Sequence, residues 1–305
     1  MIKLIDLLCL HSISQEEIEK TSILFHTQKK DKKNLLGKYI TAYDLWRSDF
    51  DNQNKSRNRR NLDTKWEYFN RTHGKNTHGN NFLKISEYFL SFNQIPITKE
   101  PLFAGFYKVK NIIPLKDGVQ HPLTGKPMKN SDEYILEYDS RLKEFEGRLI
   151  LGGWGKSNRN IKKILKKREN REKLFVESIL KNPPEHKFSH QNFLWSSDKI
   201  SILPHSWKNH LSQLFGIYIL VDRNGNQYVG SASSKEGGFL SRWKQYQKNG
   251  HGGNKKLKNL KKEKQIYTLS ILEIVPSSYT KNQVIELENK WKIKLGTRTH
   301  GLNSN

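Results

Sequence analysis

Gly216-Ile217-Tyr218-Ile219-Leu220-Val221 and Gln227-Tyr228-Val229-Gly230 flank the polar segment Asp222-Arg223-Asn224-Gly225-Asn226. Two apolar, β-favouring runs around an Asn-Gly pair predict an antiparallel hairpin. Tyr218 and Tyr228 then stand on neighbouring strands, each with a glycine two residues away that lets another backbone or a phosphate approach closely. Taken alone, the stretch reads as an ordinary hairpin with two packed aromatics.

The residues that follow change that reading. Phe239, Leu240 and Trp243 have helical spacing, which places Arg242 and Tyr246, four residues apart, on one face. Ile266 to Val275 alternates like a strand, Pro276 ends it, and Thr280 opens a helix through Val284, Leu287 and Trp291. That helix carries two carboxylates, Glu286 and Glu288. The order Gly216-Ile217-Tyr218, Tyr228-Val229-Gly230, Arg242, Tyr246, Glu288, Asn303 resembles the signature of the GIY-YIG nuclease family. Six elements in order over about ninety residues are far more specific than any one of them.

The resemblance covers roughly residues 205 to 305. It implies an α+β domain with a small antiparallel three-stranded sheet flanked by helices, and a Mg²⁺- or Mn²⁺-dependent endonuclease. Its glutamate lies about three residues before a large apolar residue, which selects Glu288, ahead of Trp291, over Glu286. One departure is Ser233-Ser234-Lys235-Glu236-Gly237-Gly238, which lengthens the interval between the tyrosines and the arginine.

Phosphodiester hydrolysis needs an activated water, a counter-charge for the phosphate and help for the leaving oxygen. The resemblance points to Tyr218 and Tyr228 for the water, and one with a depressed pKa could act as general base; which of the two does so stays open. Arg242 can bind phosphate oxygens bidentately, with Tyr246 beside it. Glu288 would be the metal's carboxylate, since Mg²⁺ keeps several waters and accepts one or two carboxylates. Gly250-His251-Gly252-Gly253-Asn254, followed by Lys255 and Lys256, reads as a turn into a basic helix. Amides at a helix start backed by lysines suit a DNA phosphate, with His251 as a candidate proton donor.

Length and charge frame the rest. The 305 residues leave room for two domains, and a formal net charge of +24 calls for a polyanionic partner. Double-stranded DNA is the expected one. Cys9 is the only cysteine, which excludes an internal disulfide and a zinc site built on cysteine pairs. No apolar run reaches the length of a membrane span and the N-terminus lacks a signal-peptide core, so a cytoplasmic location is expected.

Upstream, Ile2, Leu4, Ile5 and Leu8 suit a short packed helix, and Ser14-Gln15-Glu16-Glu17 reads as a capping box. His26 is expected to be structural. Helices are expected over Tyr39–Phe50 and around Trp66–Phe69, a loop over 28–34, another over Asn52–Asn61, and a break at His73–Asn81. Leu102–Val109, Tyr134–Tyr138 and Glu146–Leu151 read as strands, so this half is expected to be helices followed by a small antiparallel sheet. Lys156–Lys173 carries nine lysines and arginines against two glutamates. Ile161, Ile164 and Leu165 there suit the buried side of a helix.

The expected organisation is a target-recognition and DNA-binding α+β domain over 1–185, a linker over 186–204, and a nuclease domain over 205–305. The setting favoured is bacterial restriction or defence, acting on modified DNA, with room for a homodimer. A homing or repair endonuclease, or a nucleic-acid-binding protein with an inactive nuclease module, are the alternatives. Trp46, Trp66, Phe106, Tyr107 and Trp154, among basic residues, make a combination able to stack on an exposed or flipped base; most of them are expected to be core, so the role is assigned to the domain and to none of these residues singly.

Overall fold

The computed structural model describes residues 1–26, 41–53, 64–74, 86–96, 98–121, 126–154, 161–184, 188–232, 237–254, 257–258 and 266–303. They form two compact units, one from the described residues up to 184 and one from 188 onward. Lys255, Lys256, the loop at 28–34 and most of Asn52–Asn61 lie outside the described residues.

The first unit opens with α1 (Leu4–Leu10), which buries Leu4, Leu7 and Leu8. It continues with α2 (Gln15–Glu19), where Ser14 and Glu17 form the capping box read from the sequence. Then come β1 (Thr21–His26), α3 (Ala42–Gln53), α4 (Lys65–Arg71), β2 (Thr72–Gly74), β3 (Tyr88–Gln94), β4 (Pro101–Pro114) and β5 (Ser131–Tyr138). The chain goes on through β6 (Leu149–Gly152), β7 (Ile161–Ile164), α5 (Arg168–Lys173) and β8 (Phe175–Ile179). The strands make one eight-stranded sheet ordered β2-β5-β4-β3-β1-β7, with β6 pairing β4 and β8.

This sheet differs from the expected small antiparallel one, because β1 and β3 run parallel, with Thr21 opposite Tyr88 and Phe25 opposite Phe92. β1 is buried along its whole length, as befits a strand covered on both faces. Residues 161–164 are a strand, antiparallel to β1, and among the described residues of this basic stretch Arg168–Lys173 is the helical part. The Ile161, Ile164, Leu165 spacing that suggests a helix is overridden by pairing with a strand more than a hundred residues away.

The second unit starts with β9 (Leu194–Ser196) and a 3₁₀ segment, Ser197–Ile202. Then follow α6 (His205–Gln213), β10 (Phe215–Val221), β11 (Gln227–Ala232), α7 (Gly238–Asn249), β12 (Thr268–Val275) and α8 (Lys281–Lys294). Its antiparallel sheet is ordered β11-β10-β12-β9. The three expected strands are thus joined by a fourth, and the stretch read as a linker belongs to this unit: β9 pairs β12, with Trp195 opposite Leu269. Phe193, Trp195 and Ile200 are buried.

The central hairpin forms as read, with Tyr218 opposite Gly230 and Leu220 opposite Tyr228. Its connection is a five-residue loop, because the Asp222 carboxylate accepts the Asn224 and Asn226 backbone N–H groups at 2.8 and 2.9 Å. That side chain closes the turn locally. Strand alternation separates Ile217 and Val229 from Tyr218 and Tyr228. The first pair packs with Val275 of β12 and with Val284 of α8, while Tyr218 faces α7 through Phe239, Trp243 and Tyr246.

Candidate active site

Four of the six residues singled out converge on the α7 side of the hairpin. The Tyr218 and Tyr246 hydroxyls are 3.0 Å apart. Arg242 Nε donates to the Tyr218 hydroxyl at 3.1 Å, and its guanidinium lies 5.5 Å from the centre of the Tyr246 ring. The Tyr228 ring stands 6.4 Å from that of Tyr246. α7 achieves this because Arg242 and Tyr246 share a face, while Phe239 and Trp243 anchor the helix in the core.

Gly230 explains the fit of Tyr218. A Cβ at Gly230 would lie 2.5 Å from the Tyr218 hydroxyl, so only glycine lets the ring lie flat across the neighbouring strand. The 250–254 turn is tied to the same cluster, since a Cβ at Gly252 would meet the Tyr246 ring at 2.6 Å.

Sequence reasoning missed Gln245, whose Oε1 accepts from Arg242 Nη1 at 2.8 Å. With Nε and Nη1 tethered, Nη2 makes no hydrogen bond to the described residues. The Tyr228 hydroxyl likewise makes none among them, although the residue is only 6 % exposed. The cluster therefore presents one guanidinium N–H edge and one phenol with unused capacity.

The electrostatics bear on Tyr218 as general base. Burial pushes the Tyr218 phenol up from its ordinary value, and the Tyr228 phenol adds to this. Burial likewise raises Tyr246. Neither hydroxyl is activated by a depressed pKa in the resting protein, because no medium around it stabilises a phenolate enough to offset lost hydration. For Arg242 burial acts downward, but the Tyr218 and Tyr246 phenols outweigh it and the net shift is upward, so the cation persists.

Asn303 is buried and bridges to the edge strand rather than to the cluster. Its Oδ1 accepts from Val229 N–H at 2.9 Å and its Nδ2 donates to the Val229 carbonyl at 2.8 Å. It pins the strand that carries Tyr228. Glu288 sits on α8, the helix against the other face of the sheet, with its carboxylate 2.8 Å from Lys292 Nζ. Its side chain is 16 % exposed, whereas Glu286 is exposed. Among the described residues no group of three His, Cys, Asp or Glu side chains could hold a metal. A lone carboxylate completed by water and phosphate oxygens fits Mg²⁺ and does not fit a closed all-protein site.

His251 Nδ1 accepts the Gly253 N–H at 3.0 Å, and Asn254 Oδ1 accepts the Leu257 N–H at 3.0 Å. Both side chains shape the turn.

Residues 214–303 match the family model of the GIY-YIG catalytic domain. The C-terminal unit thus carries a GIY-YIG catalytic domain, the domain type of that nuclease family. Neither a curated protein nor a solved structure matches the chain. Among the described residues, no helix is long and apolar enough to cross a membrane.

Proposed function

We propose that the protein is a divalent-metal-dependent DNA endonuclease in which the C-terminal unit cuts and the N-terminal unit selects the target. The observation that carries this reading is the convergence of Tyr218, Tyr246 and Arg242 beside Tyr228, with a guanidinium N–H edge and a phenol hydroxyl left uncommitted.

Arg242 holds a phosphate oxygen through Nη2 while Tyr218 and Gln245 fix its plane. Preorganised charge of this kind stabilises the transition state without reorganisation cost. Tyr228, whose hydroxyl makes no hydrogen bond among the described residues, orients the attacking water. Tyr218 and Tyr246 act as neutral hydrogen-bonding groups. Mg²⁺ or Mn²⁺ at Glu288 would supply Lewis-acid stabilisation of the phosphate and its leaving oxygen. α8, which carries Glu288, packs through Val284 on the face of the sheet opposite Tyr218.

The charge of +24 supplies affinity for the DNA backbone. Phosphate contacts position a protein without reading sequence, which leaves target choice to the N-terminal unit. A restriction or defence role is favoured over homing or repair because a folded partner unit accompanies the nuclease and the sequence carries no zinc-finger or repeated DNA-reading signal.

Incubating plasmid DNA with the full chain tests this. Nicking is expected with Mg²⁺, none with EDTA, and a drop of at least about a hundredfold for Glu288→Gln. Undiminished cleavage in EDTA or by that variant contradicts the assignment, and DNA binding without cleavage by the native chain favours an inactive module.

A further inference from the structure

Away from the tyrosine cluster, α8 carries a buried lysine, Lys292. Val284, Glu288 and Lys292 are spaced four residues apart and form one stripe of α8. Val284 packs in the apolar core with Ile217 and Val229. Lys292 follows the same stripe into the protein, and its side chain is 9 % exposed. Other lysines in ion pairs, Lys20, Lys110 and Lys173, keep 40 %, 49 % and 59 % of their side-chain surface.

A solvated i,i+4 pair contributes little, whereas a buried ammonium needs a partner to offset its lost hydration. Glu288 is that partner, at 2.8 Å. The lysine's backbone is also fixed, because the Thr297 N–H donates to the Lys292 carbonyl at 3.1 Å. The carboxylate that suits a divalent cation therefore already has a tethered cation against it.

We propose that Lys292 is a positioning residue that acts as the resident counter-cation of Glu288 and sets the metal affinity of the site. The inference rests on the reading of Glu288 as the metal carboxylate. Without a divalent ion, the ammonium keeps the carboxylate charged, oriented and compensated. A divalent ion must displace the ammonium or share the carboxylate with it, and either weakens binding to the protein alone. Phosphate oxygens of bound DNA add the negative charge that restores the balance, so metal loading is favoured on the substrate complex. This limits metal-dependent cutting chemistry to protein that already holds DNA.

Mn²⁺ titration of the full chain by calorimetry, without DNA, tests the proposal on the native protein, Lys292→Met, Lys292→Arg and Glu288→Gln. Lys292→Met is expected to bind Mn²⁺ more tightly by on the order of tenfold, since the competing charge is gone. Lys292→Arg keeps the charge and stays near the native value. Thermal melting of each metal-free variant confirms folding, and Lys292→Met should gain more in melting temperature from Mn²⁺ than the native chain does. An Mn²⁺ affinity of Lys292→Met equal to or weaker than native, or one matched by Lys292→Arg, overturns the proposal. Undiminished Mn²⁺ binding by Glu288→Gln overturns instead the placement of the metal at Glu288. Absence of Mn²⁺ binding in every variant, Lys292→Met included, overturns both.

Discussion

Both units bury large aromatic side chains against a sheet, and they use them differently. In the N-terminal unit Trp46, Trp66, Phe106 and Tyr107 are almost wholly enclosed, and Trp154 is 6 % exposed. Two of them spend their polar ends internally: Trp46 Nε1 donates to Glu146, and the Tyr107 hydroxyl donates to Glu67 at 3.0 Å, while Trp66 Nε1 has no hydrogen bond among the described residues. In the C-terminal unit Tyr218 and Tyr246 are just as buried, yet their hydroxyls meet each other and that of Tyr218 also accepts from Arg242. The difference teaches that an aromatic becomes a candidate for chemistry through where its polar end points. All five N-terminal rings that could in principle stack on a base form core, which extends to the whole set what the sequence leads one to expect of most of them.

The largest effect that can break this contrast is on Arg242. Arg242→Ala should slow cleavage by about 10²–10³-fold while the protein stays folded, because it removes the one preorganised cation of the cluster. A loss smaller than about threefold in plasmid nicking would place the phosphate-binding group elsewhere.

A smaller effect sharpens the contrast through pH. In the N-terminal unit the Arg141 guanidinium, hydrogen-bonded to Glu17, holds that carboxyl at about 2, well below its usual value of 4.5. A depressed carboxylate stabilises the fold above 4.5, and that contribution is lost as pH falls from 4.5 toward 2. In the C-terminal unit Tyr218 and Tyr246 are raised. Below pH 10 their contribution is constant; above it the unfolded phenols ionise and the buried ones do not, so stability falls as pH rises. The expected slope is about 1.4 kcal/mol per pH unit for each tyrosine. Denaturant unfolding followed across pH 8 to 11 checks this, and tyrosinate absorbance from these two rings near pH 10 in folded protein would contradict it.

How much of this was legible in the sequence follows from the range of the interactions involved. The hairpin and the capping boxes at Ser14 and Thr280 are set by residues a few positions apart, and they stand where the sequence places them. Arg242 and Tyr246 were readable for the same reason. β7 and β9 were not, because a four-residue and a three-residue strand exist only through partners distant in the chain. The parallel pairing of β1 and β3 is hidden likewise, since alternation predicts a strand but not its neighbour's direction. At the site, the i,i+4 spacing of Glu288 and Lys292 is plain, but the burial that distinguishes this pair from a surface one is a property of the folded unit. The raised pKa of Tyr218 is invisible for the same reason: its cause is enclosure by α7.

The central claim is a division of labour, with phosphate chemistry in the C-terminal unit and target choice in the N-terminal one. The most direct test is a shortened chain beginning at Phe188, the first described residue of the compact C-terminal unit. It should be compared with the full protein on a panel of modified and unmodified DNAs in Mg²⁺. The account predicts that the fragment nicks weakly, depends on the metal, and cuts all substrates alike, while the full protein prefers some over others. A fragment that keeps the full protein's preferences would place target reading inside the GIY-YIG domain and contradict the account.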